Sequence, residues 1–198
     1  MFYSFLKYLL YGLARIFLRF EVKGAENIPS EGPVVIASNH ISLLDPPLIG
    51  VAATRKIHFM AKSELFVPVI GSIYRTLGAF PVRRGTADRN AVRHAIDLLQ
   101  SGKVLAIFPE GTRSKSGFLG KPEPGTLMMA AKARAVLVPT AVIGTRLSSG
   151  KSVWPKVVVC FGKPMPFAEN ETISKEVLAR MTEELMQQIQ ILIDKETI

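Results

Sequence analysis

One cysteine, Cys160, stands in 198 residues. That excludes an intramolecular disulfide framework and a cysteine-built zinc site. The three histidines, His40, His58 and His94, show no H-E-x-x-H spacing, so no metal centre is expected. No G-x-S-x-G elbow occurs, which argues against a serine hydrolase of the usual α/β kind. The nearest approach to a phosphate-binding P-loop runs from Gly144 to Ser152. It has five residues between its glycines where four are required, and a strand pattern near Trp154-Pro155 follows it instead of a helix. The first twenty residues lack any acid, and they also lack an apolar run long enough to span a bilayer. Seven residues separate Lys7 from Arg15, against the roughly 20 a spanning helix needs.

What is present describes a folded domain with a greasy, basic surface. Hydrophobic residues at 48% against 21% charged exclude a disordered chain, and the length suits one α/β domain. The net charge of +9 is unevenly spread: residues 169–198 hold seven acids against three bases, leaving +13 on residues 1–168. A body so basic attracts phosphate, whether on nucleic acid, an anionic lipid headgroup or a phosphorylated substrate.

Residues 1–20, rich in Phe, Leu and Tyr, carry Ser4, Lys7, Tyr8, Tyr11, Arg15 and Arg19 at three- and four-residue steps. This pattern predicts an amphipathic helix lying in a membrane interface, with a terminal helix packed on the core as the alternative. The segment fits a cleaved signal peptide poorly, so the expected location is the cytoplasmic face of a membrane, held peripherally. Residues 21–198 then form a single α/β domain. Apolar runs at 33–38, 57–61, 78–82, 104–108, 136–143 and 157–161 read as strands, and 46–53, 64–76, 88–100, 126–134 and 174–193 as helices. Their alternation predicts a largely parallel central sheet flanked by helices. The loop from Ser114 to Gly125, with three glycines and two prolines, is a candidate lid.

Two clusters carry chemistry. Asn39-His40 closes a strand, which places an imidazole at the carboxyl edge where open α/β sheets bind ligands. Asp45 lies five residues on and meets His40 only if the histidine precedes the helix and the turn brings the carboxylate back. Such a pair fixes the imidazole tautomer and leaves Nε2 as a base. The competing reading makes Ser42-x-x-Asp45 a capping box for the next helix. The second cluster, Phe108-Pro109-Glu110-Gly111-Thr112-Arg113-Ser114, follows another strand at the same edge. Arg113 offers a fork suited to phosphate oxygens, Gly111 permits close approach, and Arg83-Arg84 adds positive charge.

His40-x4-Asp45, Gly78 through Arg84, Phe108 through Ser114, and Val138-Pro139 occur in the order of the four sequence blocks of the glycerolipid acyltransferases. The chain resembles most the 1-acylglycerol-3-phosphate acyltransferases within that family. Two positions depart from the blocks: Pro81 stands at the usual phenylalanine and Thr140 at an apolar position. The resemblance implies that His40 is the general base for the sn-2 hydroxyl of lysophosphatidate, with Asp45 orienting it. It also implies that Arg84 and Arg113 hold the acceptor's phosphate, while Glu110, Gly111 and Thr112 position its glycerol portion. No cofactor is expected beyond the acyl donor itself, acyl-CoA or acyl carrier protein. The expected partners are lysophosphatidate, the acyl thioester and an anionic membrane surface, with acyl carrier protein as a candidate and nucleic acid excluded. Rival readings are a sister enzyme using glycerol 3-phosphate or another lysolipid, and a non-catalytic membrane-binding domain. No acyl-enzyme is expected on Cys160, because Val157 through Phe161 is a buried-strand pattern with no basic neighbour to make a thiolate.

Overall fold

The computed structural model describes residues 2–83, 88–146, 154–168 and 172–197. Among these residues seven strands form one sheet: β1 (Arg19–Lys23), β2 (Val34–Ser38), β3 (Ile57–Lys62), β4 (Ala79–Val82), β5 (Val104–Ile107), β6 (Val136–Ile143) and β7 (Lys156–Phe161). Their order is β1-β7-β6-β2-β5-β3-β4, parallel throughout except that β6 and β7 run antiparallel. The central strand β2 is buried along its whole length, and its Val-Val-Ile-Ala run shows the two-sided apolarity of a strand covered on both faces.

Among the described residues six α-helices make the covering layers: α1 (Phe2–Phe17), α2 (Asp45–Ala52), α3 (Ile70–Thr76), α4 (Arg89–Gln100), α5 (Met128–Lys132) and α6 (Lys175–Thr197). One core joins Ala14 of α1 and Leu48 and Ile49 of α2 to Ile36, Val104 and Val159 of the sheet. The other sets Ala95 and Leu99 of α4, Ala130 of α5 and Leu185 and Ile189 of α6 against Val35, Leu105 and Leu137. The expected largely parallel α/β architecture is what the chain adopts.

Three expectations need correction. The amino-terminal helix ends at Phe17 instead of Phe20; Arg19 and Phe20 belong to β1, whose Phe20 is buried and pairs with Val157. The helix expected over 64–76 is broken: a 3-10 turn at Ser63–Leu65 precedes α3, which starts only at Ile70. Pro68 lies between them, where its ring and missing N–H oppose a continuous helix. The polar stripe of α1 is also not wholly outward. Lys7 is partly buried and its ammonium donates to the Ala53 carbonyl, while burial pulls its pKa down. Phe5, Tyr8, Ile16 and Phe17 are the most exposed of the large apolar side chains described on this helix.

Candidate active site

The carboxyl ends of β2 and β5 lie side by side, and each leads into one of the two clusters read from the sequence. His40 sits two residues beyond β2 and ahead of α2, and Asp45 opens α2. Pro46 and Pro47 occupy the first turn, where a missing N–H costs nothing. The turn brings Asp45 Oδ2 to 2.8 Å from His40 Nδ1. An ionised carboxylate only accepts, so Nδ1 carries the proton and Nε2 is left as the basic nitrogen.

Asp45 is fully buried, and four donors meet its carboxylate. The backbone N–H groups of Ile41 and Ser42 donate to Oδ2, each at 2.7 Å, beside the histidine. The Thr145 hydroxyl donates to Oδ1 at 2.6 Å. The capping-box reading is half realised, because Asp45 takes the Ser42 N–H while the Ser42 hydroxyl accepts from Leu44 N instead of closing the box. One carboxylate thus shapes the turn and holds the imidazole.

The second cluster supports the first from beneath. His40 N–H donates to Glu110 Oε1 at 2.9 Å, and Ser114 N–H donates to the His40 carbonyl at 2.7 Å. The other Glu110 oxygen accepts the Gly120 N–H at 2.9 Å, which ties the 114–125 loop to the same carboxylate. Glu110 is only 5% exposed, and both oxygens of this buried carboxylate are answered by backbone donors. The Phe108 ring stacks on the imidazole with centroids 4.0 Å apart. Gly111 has φ +67°, and the side of its Cα where a Cβ would stand faces Glu123 of the same loop.

Ile41 to Leu44, Thr112 to Lys115, Thr145 and Arg146 line one cleft of about 620 Å³. Arg113, Lys115 and Arg146 bring cations to it, Leu43 and Leu44 bring apolar surface, and no carboxylate is among its lining residues as described. Arg84 lies outside the described residues, as does most of the Gly144–Ser152 segment. A larger groove, about 820 Å³ between α6 and residues 122–128, lies away from the histidine.

Four residues of the site escaped the sequence reading. Phe108 opens the second cluster in the sequence, but nothing there announces that its ring packs on His40. Asn39 clamps β2 to β6 through paired bonds with the Val142 backbone, 2.9 Å to its carbonyl and 2.8 Å from its N–H. Thr145 and Arg146 follow the fourth block and have no local pattern that marks them. Cys160 is half-buried on β7, and burial raises its thiol pKa.

The acyltransferase family model matches residues 19–143. The chain is 37% identical over 180 residues to the 1-acyl-sn-glycerol-3-phosphate acyltransferase of Bacillus subtilis (strain 168), covering 88% of each chain. It is 30% identical over 178 residues to the chloroplastic 1-acyl-sn-glycerol-3-phosphate acyltransferase LPAT1 of Arabidopsis thaliana, covering 85% of this chain and 50% of that one. The crystal structure of the 1-acyl-sn-glycerophosphate acyltransferase PlsC from Thermotoga maritima superposes with a TM-score of 0.70 at 30% identity. That match covers 87% of this chain and 71% of the other.

Proposed function

The chain belongs to the acyltransferase family, and we propose that it moves a fatty acyl group from an acyl thioester to the sn-2 hydroxyl of 1-acylglycerol 3-phosphate, forming phosphatidate. The observation that carries this reading is the His40–Asp45 pair, 2.8 Å apart and buried at the carboxyl edge of the sheet. The names of the relatives specify the same acceptor, which supports lysophosphatidate over other hydroxyl compounds.

The chemistry follows from the geometry. A free hydroxyl is too weakly acidic to ionise first, so His40 Nε2 takes its proton as the oxygen attacks the thioester carbonyl. The carbon–sulfur bond then breaks, and the imidazolium returns the proton to the leaving thiolate. Asp45 stabilises the imidazolium that exists between the two transfers. Arg113 and Arg84 take the acceptor's phosphate in this reading, with Gly111 and Thr112 shaping the space for its glycerol. Glu110 contributes by fixing the His40 backbone. No cofactor is needed beyond the donor, acyl-CoA or acyl carrier protein. The exposed apolar side chains of α1 (Phe5, Tyr8, Ile16 and Phe17), with Arg15 beside them, suit an anionic membrane surface on the cytoplasmic side, which would deliver the lipid acceptor.

Thiol release from long-chain acyl-CoA in mixed micelles tests the reading, with lysophosphatidate and glycerol 3-phosphate supplied separately and acyl carrier protein as an alternative donor. Release that depends on lysophosphatidate and disappears in His40→Ala is expected. Release with glycerol 3-phosphate alone would move the acceptor, and no release with either donor would overturn the catalytic reading.

A further inference from the structure

We infer that Thr145 is a positioning residue of the active site: its hydroxyl fixes the Asp45 carboxylate, and through it the His40 imidazole. This inference rests on the acyl-transfer reading and adds to it a residue outside the four sequence blocks.

Thr145 lies 100 positions from Asp45 along the chain, yet its Oγ1 is 2.6 Å from Asp45 Oδ1, in the range of a charge-assisted O–H···O⁻ bond. The path to that contact can be followed. β6 runs parallel to β2 in register from Val34↔Val136 to Ser38↔Thr140. The two bonds between the Asn39 side chain and the Val142 backbone extend this alignment past the end of β2. β6 therefore leaves the sheet beside the turn that carries His40. Gly144, at φ +82°, makes the next step possible. A Cβ there would stand 2.0 Å from the Lys156 carbonyl, so only glycine lets the chain bend against β7 and direct Thr145 inward. Thr145 is 1% exposed.

The two oxygens of Asp45 have unequal duties. Oδ2 receives three donors, His40 Nδ1 and the N–H groups of Ile41 and Ser42. For Oδ1, Thr145 is the donor the structure provides. Without that hydroxyl, Oδ1 becomes a buried anionic oxygen with no donor among the described residues. The carboxylate's relief is to rotate about its Cβ–Cγ bond and share the Ile41 and Ser42 donors between both oxygens. That rotation swings Oδ2 away from Nδ1, so Thr145 sets the plane in which Asp45 meets His40. A threonine that only filled the core would be replaceable by valine, which has the same shape.

The experiment compares Thr145→Val and Thr145→Ser in the full-length chain, each alone and in an Asp45→Ala background, with thiol release as the assay. Thr145→Val is expected to lower kcat about 10- to 100-fold, the worth of one hydrogen bond to a buried charge. KM for lysophosphatidate should stay within about threefold, and Thr145→Ser should recover most of the rate by restoring the hydroxyl. In the Asp45→Ala background, Thr145→Val should cost nothing further, because its effect passes through that carboxylate. The His40 Nδ1–H proton resonance, read with the other two histidines replaced, should weaken or shift in Thr145→Val. A valine variant with full kcat, or a loss that persists unchanged without Asp45, would overturn the inference. A wild-type chain that releases no thiol would defeat the acyl-transfer reading instead, and the Nδ1–H resonance would still test the coupling of Thr145 to His40.

Discussion

Replacing Glu110 by glutamine separates two roles that a carboxylate at this position could have. In the structure both of its oxygens accept backbone N–H groups, from His40 and from Gly120, each at 2.9 Å. Glutamine keeps one accepting oxygen and turns an NH2 donor towards whichever N–H remains. The change removes one charge-assisted bond in a buried setting and leaves two donors facing each other, together about 3 kcal/mol. For a chain of this size that is a fall in Tm of about 6 to 12 °C. Because one of the two N–H groups belongs to His40, the same change loosens the backbone that carries the proposed base. Misplacement of a catalytic group is felt in the chemical step, so kcat should fall about 10- to 100-fold while KM for the acceptor stays within about threefold. Differential scanning calorimetry and steady-state thiol release on the same preparation read both numbers. An unchanged Tm with a KM raised tenfold or more would refute the argument, since that is the signature of a carboxylate directed at the substrate's glycerol.

Cys160→Ser should keep thiol release within about twofold of wild type, because a half-buried thiol whose pKa burial has raised supplies little thiolate; lost turnover with the fold intact would contradict direct transfer. Gly111→Ala should destabilise by about 1 to 2 kcal/mol, since its φ of +67° suits a residue without a Cβ, and an unchanged urea midpoint would contradict that. His58 introduces a pH dependence of stability. Burial first, then the charges of Lys56 and Lys103, lower its pKa from 6.5 to about 4. The unfolded chain therefore binds the extra proton between those values. Its contribution is complete above pH 6.5 and is lost as the pH falls towards 4. The gap corresponds to about 3 kcal/mol, and water reaching the half-buried ring reduces it to about 1 to 2 kcal/mol. Urea midpoints at pH 7 and 4.5 should diverge less in His58→Asn than in wild type, and equal divergence would contradict the assignment.

Much of this architecture was legible because it is written locally. The β2 run Val34–Ser38 and the β5 run Val104–Ile107 are apolar on both faces, as strands between two helical layers must be. The motifs at their carboxyl ends then fall at one edge of the sheet without further information. What stayed hidden depends on contacts between distant segments. Arg19-Phe-Glu-Val-Lys23 alternates as an edge strand does, but it adjoins a helical pattern that absorbed its first two residues. The partners of Glu110 are backbone groups, which no side-chain pattern announces. Thr145 could have been suspected only once β6 was known to lie beside β2, because that adjacency brings residue 145 to Asp45. Pro68 did carry its signal, and the break before α3 is the ordinary effect of proline on a helix.

The central claim is that His40 promotes direct transfer of the acyl group from thioester to hydroxyl. A single-turnover experiment with an isotopically labelled acyl-CoA tests it, with intact-protein mass measured before lysophosphatidate is added and lipid product analysed after. The account predicts no acyl adduct on the protein, label at the sn-2 position of phosphatidate, and a rate in His40→Ala lower by about three orders of magnitude or more, the upper part of what a positioned base contributes. An acylated protein that passes its label to the acceptor, or His40→Ala turning over at the wild-type rate, would contradict it.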